Sequence, residues 1–284
     1  SPQTTVSFAQ SNEKRYTERT MDGVRASEWL DNLAVHGRAS FTSNDAVAGL
    51  GPTPTASRMA LSRLLKSGRI ASPYRGFYVV VAPEHRRLGC SPPEHFLDQL
   101  MTWLGVPYYI ALLSAAAHHG AAHQAPLRMQ VMVPKARHPI RSGEVGVDFI
   151  VRADLESTPV VTRTGPRGYL RIASAEATAL ELVGYDDRCG GLDHVATVLA
   201  ELAEVLQPDA LSTAAALCPV AWVQRLGWLL ERVDQPGIAE ALLPEVARRA
   251  TVQTRLLPSA SGRGAPRDDR WRLIVNTEVE VDDL

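Results

Sequence analysis

Between Thr53 and Lys66 short hydroxyls alternate with long cations: Thr53, Thr55, Ser57, Arg58, Ser62, Arg63 and Lys66. On a helix, Thr55, Arg58, Ser62 and Lys66 fall close to one line, with Ser57 and Arg63 beside it. Hydroxyls suit base edges, and guanidinium or ammonium groups suit guanine and phosphates. The pattern therefore predicts contact with duplex DNA. Thr53, Thr55, Ser57, Arg58 and Ser62 are the base-reading candidates, and Arg63 and Lys66 the phosphate candidates. Tyr74 and Arg75 extend the set, because they sit in a turn sequence from which Arg75 can reach a phosphate or the minor groove. A solvated helix face has the same composition, so the surrounding elements must decide between the two readings.

Other constellations carry less. His119 and His123 have the i, i+4 spacing of two metal ligands, with His118 alongside, but Gly120 replaces the general-base glutamate of H-E-x-x-H and should end the helix. Ser261–Arg267 (SGRGAPR) lacks the Lys-Ser/Thr of a phosphate loop. Asp148, Asp154, Asp186 and Asp187 are linked by no motif and read as turn carboxylates. No nucleophile elbow or dinucleotide fingerprint is present. The expectation is no catalytic residue, no metal site and no cofactor, hence not an enzyme.

The elements around the hydroxyl–cation stripe favour DNA. Ala26, Trp29, Leu30 and Leu33 make one apolar face on a helix from Arg25 to His36, ended by Gly37. A short second helix follows, capped by Thr42 or Ser43 and stopped by Gly49 or Gly51. Thr53 can cap the third helix, with Pro54 at its first position and Gly68 at its end. Arg69–Ser72 and Phe77–Val81 then read as strands about a Pro73–Gly76 turn. Three helices followed by a basic-tipped hairpin are the order of a winged helix-turn-helix, whose last helix enters the major groove.

Charge divides along the chain. Residues 1–90 hold 12 Lys and Arg against 7 Asp and Glu, whereas residues 91–284 hold 18 against 24. A basic front and an acidic rear fit a nucleic-acid module joined to a second function. The three cysteines are far apart and form no disulfide framework, which points to a reducing cytoplasm. No apolar run approaches the length of a membrane span. The expected organisation is a flexible tail over 1–20, a winged helix-turn-helix over 21–82, a Pro/Gly linker over 83–93 and a larger mixed domain over 94–284. In that last domain, strands near 128–133, 145–151 and 169–172 precede helices near 174–183, 192–206, 208–217, 220–233 and 238–249. Strands first and helices after make the class α+β.

With these residues in view, the chain resembles the AbiEi family of antitoxins, from bacterial type IV toxin–antitoxin systems, and its Ala/Arg-rich composition looks actinobacterial. The resemblance covers about 25–284. It rests on Tyr74–Pro83 (YRGFYVVVAP), on Tyr108–Gly120 (YYIALLSAAAHHG) with the Val131–Pro134 strand, on Ile172–Leu180 (IASAEATAL) and on Trp271–Asn276 (WRLIVN). It implies a repressor that binds inverted repeats upstream of its own operon through the N-terminal domain. It also implies a C-terminal domain that counteracts a nucleotidyltransferase-like toxin encoded next door. A one-component regulator with a ligand-sensing rear domain is the alternative class, and an enzyme with a DNA-targeting head is a third.

Overall fold

The computed structural model describes residues 25–51, 53–121 and 125–281. The expected tail over 1–20, residues 21–24, Pro52 and His123 lie outside the described residues. The chain divides into two compact units.

Unit 1 runs through Leu104 and takes in Ile140–Gly146 and Gly165–Gly168. It opens with helix α1 over 25–35, then strand β1 (Ser40–Thr42), helix α2 (Ser43–Gly49) and helix α3 (Pro54–Lys66). Strands β2 (Ile70–Tyr74) and β3 (Phe77–Val80) complete a three-stranded antiparallel sheet of order β1-β3-β2. The apolar stripe of α1 buries Leu30 and Leu33 against Phe41, Ala46, Leu61, Leu64 and Ile70. Phe41 anchors this core, with Trp29 edge-on at 4.8 Å and Tyr78 stacked at 5.3 Å. This arrangement is compatible with a winged helix-turn-helix.

Local chemistry sets the element ends. Thr42 caps α2 in a reciprocal box, in which the Asp45 N–H donates to Thr42 Oγ1 at 3.3 Å and the Thr42 N–H donates to Asp45 Oδ2 at 2.7 Å. At Gly49 any Cβ would overlap the Trp29 indole, so glycine is what lets α2 close on α1. Pro73 has no N–H to give a ladder, and the β2–β3 register slips between Ala71 and Tyr74 as a consequence.

Three sequence expectations change here. Strand β1 was not expected, since three residues carry too little periodicity to show. The hairpin turn is only Arg75-Gly76, because the strands pair up to Tyr74 and Phe77. The 83–93 segment is built into unit 1: Pro83–Leu88 is a 3-10 helix, Cys90 is fully buried, and Ser91 Oγ donates to the Val80 carbonyl at 2.9 Å. Helix α4 (Leu97–Leu104) follows and buries Leu97, Leu100 and Met101, so the unit closes near Leu104.

Unit 2 comprises Gly105–Pro139, Val147–Thr164 and Tyr169–Leu284. Its sheet has the order β7-β5-β4-β9-β8, formed by β4 (Tyr109–Ile110), β5 (Met129–Val133), β7 (Val145–Val151), β8 (Val160–Gly165) and β9 (Gly168–Ala173). The strand between β5 and β7, β6 (Ile140–Ser142), groups with unit 1. Pairing is mixed, antiparallel for β4–β5 and parallel for β4–β9 and β5–β7. Helix α5 (Leu112–His118) precedes β5, and α6 (Ala175–Gly184), capped by Ser174, follows β9. Helices α7 (Leu192–Leu202), α8 (Pro208–Ala215), α9 (Val220–Arg232), α10 (Pro236–Ala239) and α11 (Leu243–Arg249) follow. Helix α6 is the hub, buried at nine of its ten residues and packed on α5, α7, α8 and α9. A small sheet of β10 (Thr254–Arg255), β12 (Leu273–Ile274) and β11 (Arg267–Asp268) ends the described chain. The α+β class expected from the sequence is the class observed. The Tyr108–Gly120 segment forms β4 and then α5, because Tyr109 and Ile110 extend to pair with Met132 and Val131.

Candidate functional site

Helix α3 presents one continuous exposed face made of Thr55, Arg58, Met59, Ser62, Leu65 and Lys66. Their spacing of i, i+3, i+4, i+7, i+10 and i+11 is that of a single helical side. The opposite side buries Ser57, Ala60, Leu61 and Leu64. Thr53 caps the helix, its Oγ1 accepting from the Ala56 N–H at 3.2 Å, and Pro54 occupies the first turn as expected. Arg58 Nη2 donates to Thr55 Oγ1 at 3.3 Å, which draws the guanidinium toward the N-terminal end of the face.

The sequence-selected residues separate into groups. Thr53, Thr55, Arg58, Ser62, Lys66 and Arg75 are exposed. Ser57 is a correction: it is fully buried, and its Oγ donates to the Thr53 carbonyl at 3.2 Å. Its hydroxyl is spent inside the helix, because its position one residue from the stripe turns it toward the core. Arg63 is half-buried and lines a groove beside α1 with Arg25, Glu28, Trp29 and Asn32. Tyr74 is half-buried, its ring edge-on to Trp103 of α4 at 6.4 Å. Arg75 stands at the turn, where Gly76 takes φ +82 and supplies the left-handed residue that a two-residue connection needs. Sequence reasoning missed Met59, which is 63 % exposed in the middle of the face. Its signal was available, since position 59 is four residues from Thr55 and three from Ser62.

Unit 2 holds a second polar assembly that the sequence did not suggest. Glu181 of α6 is buried, and its Oε1 accepts from Tyr109 Oη at 2.6 Å and from Arg152 Nη1 at 2.8 Å. Thr158 Oγ1 lies 3.2 Å from the same Tyr109 hydroxyl. Glu181 Oε2 is buried with no partner among the described residues, beside a cavity of about 10 Å³ lined also by Thr158, Cys218 and Trp222. That space is about one water molecule. Burial pushes the Glu181 carboxyl up to about 7, against the opposing pull of Arg152 and of the Tyr109 hydrogen bond. Burial, then the Glu181 charge, push the Tyr109 phenol up as well. The Arg152 guanidinium also lies over the Trp222 ring, 5.5 Å from its centroid. The cluster ties sheet to helices and offers no exposed nucleophile.

Of the histidines singled out in the sequence, His119 is held by its neighbours. His119 Nε2 lies 2.7 Å from the Ala173 carbonyl and its Nδ1 lies 3.2 Å from Arg163 Nη2, so both ring nitrogens are engaged. No group of three metal-ligating side chains occurs among the described residues. Burial raises the Cys90, Cys189 and Cys218 thiols, Cys218 to about 12, so little thiolate is present near neutral pH. No described helix is long and apolar enough to cross a membrane.

Residues 109–232, from β4 to the end of α9, match the family described as AbiEi antitoxin C-terminal domain. This segment is similar to the AbiEi antitoxin C-terminal domain. The AbiEi match thus contains the whole Tyr109–Arg152–Glu181 cluster and none of the α3 face. The crystal structure of the RV2827C protein from Mycobacterium tuberculosis is similar with a TM-score of 0.62, at 22% identity over 88% of this chain and 90% of that one. At that identity the likeness is one of fold, extending beyond the AbiEi segment to most of the chain. No protein of curated function matches the chain.

Proposed function

We propose that the protein is a DNA-binding antitoxin that represses its own operon and counteracts a nucleotidyltransferase-like toxin through its AbiEi domain. The observation that carries the DNA reading is the exposed α3 face, with Arg58 and Lys66 among short hydroxyls, on a helix-turn-helix whose following hairpin ends in exposed Arg75. In this reading Arg58 pairs with guanine, Thr55 and Ser62 read neighbouring base edges, and Lys66 and Arg75 hold phosphates. Met59 supplies the apolar contact that the major groove offers only at a thymine methyl. The DNA is an inverted repeat in front of the operon, which two copies of the chain would occupy.

Titration of the upstream operon DNA at fixed salt tests this reading. Arg58→Ala should cost about 1–3 kcal/mol on the specific site and little on random duplex. Lys66→Ala should weaken both alike and flatten the salt dependence by about one phosphate. If both variants bind the upstream DNA as tightly as wild type, α3 is not the reading helix.

A further inference from the structure

Unit 1 contains a cleft of about 280 Å³ at the end of β3 away from the Arg75-Gly76 turn. Arg38, Arg69, Arg86 and Arg167 line it, and Asp31 is the one carboxylate among its lining residues. Two of the cations are compensated: Arg38 Nη2 lies 3.1 Å from Asp45 Oδ1, and Arg69 Nη2 lies 3.5 Å from Asp31 Oδ1. Arg86 and Arg167 are exposed, with no carboxylate in ion-pair range among the described residues. Guanidinium stays charged at any working pH, so among the described residues the cleft carries two positive charges without counter-charge. The Arg167 charge reaches His95, where burial first, then His85 and Arg167, hold the imidazole below its ordinary range against the opposing pull of Glu94 and Glu84.

The two uncompensated side chains are presented from anchored backbone. Gln99 Nε2 donates to the Arg167 carbonyl and holds that turn. The 3-10 helix bearing Arg86 ends at Leu88, whose carbonyl accepts from the Glu144 N–H at 2.8 Å. Leu30, Ala34, Val81 and Pro83 form an apolar wall on the same cleft. Anchored guanidinium forks beside an apolar wall match a ligand with a compact multivalent anion at one end and a less polar body at the other.

We propose that this cleft binds the phosphoryl group of a small phosphomonoester, with the remainder of the molecule lying on the Ala34–Pro83 wall. A phosphomonoester carries about −1.5 to −2 charges near neutral pH, which matches the two free guanidiniums. A phosphodiester in a DNA backbone carries a single charge between two sugars and matches less well. The site goes beyond the DNA reading and does not depend on it.

Calorimetric titration of the full-length protein at constant ionic strength, with adenosine monophosphate, inorganic phosphate and a non-operator duplex as separate probes, tests the proposal. Saturable binding of the monophosphate is expected, with Arg86→Gln and Arg167→Gln each weakening it about tenfold or more. Both side chains are exposed, so the unliganded melting temperature should not move, and duplex affinity should stay the same. No saturable binding of either phosphate probe would overturn the proposal. So would equal binding by wild type and variants. Variants that weaken only the duplex would assign these arginines to the DNA backbone and overturn it equally.

Discussion

Glu181 shows how far a single residue's chemistry departs from its sequence context. The run Ala175–Gly184 (AEATALELVG) reads as an apolar helix with two acidic positions, and nothing in it marks position 181 as a charged group at the centre of unit 2. Burial raises its carboxyl from 4.5 to about 7. The folded chain therefore binds a proton there that the unfolded chain releases above about 4.5. By linkage, this group's stabilising contribution is full below 4.5 and declines as pH rises through 7. Denaturant melts between pH 5 and 8 should show that decline in wild type and a flatter profile in Glu181→Gln, whose amide cannot titrate. A wild-type stability that instead rises across that interval would show that Arg152 holds Glu181 ionised. Ser57 is the converse case at this scale. Its residue type suited base contact, but one step of 100° around the helix placed it in the core.

At the scale of elements, the helix ends were legible because capping depends on neighbours in sequence. Thr53 with Pro54, and Ser174, cap where their residue types predict. Thr42 does so most completely. Burial pushes the Asp45 carboxyl up, but the hydrogen bonds from Thr42 and the Arg38 charge outweigh it and leave Asp45 below its ordinary value. Thr42→Ala should cost about 1 kcal/mol in urea unfolding. An unchanged midpoint would mean that the box adds nothing to unit 1. Close approaches between elements were not legible. In α9, a Cβ on Gly227 would overlap the ring of Trp271, the largest fully buried side chain. Gly227→Ala raises helix propensity, yet it should lower the thermal midpoint, because overpacking costs about 1–3 kcal/mol against under 1 gained. A raised midpoint would show that Trp271 yields without cost. Short strands such as β1 and β4 escaped for a related reason: they exist because a distant strand pairs with them, not because their own residues alternate.

For the whole molecule, the separation of the AbiEi-like segment from the α3 face makes the two proposed activities separable. Cutting the chain is a poor way to do this, since unit 1 takes in Ile140–Gly146 and Gly165–Gly168, and Gly143 packs against Leu88 and Gly89. Point substitution is cleaner. Expressed from an unrelated promoter beside the neighbouring gene product, Arg58→Ala/Lys66→Ala should restore growth as well as wild type does. Loss of rescue at equal protein level would make DNA binding part of the antitoxic action. The sequence by itself determined most of the helices and the longer strands, the caps, the α+β class and the hydroxyl–cation stripe, because each depends on residues within a few positions of one another. Tertiary structure alone decided which stripe residues stay exposed, where unit 1 ends, and that Tyr109, Arg152 and Glu181 meet. So too with the gathering of Arg38, Arg69, Arg86 and Arg167 around one cleft. These follow from packing between segments as far apart in sequence as Arg38 and Arg167, and local periodicity carries no information at that range.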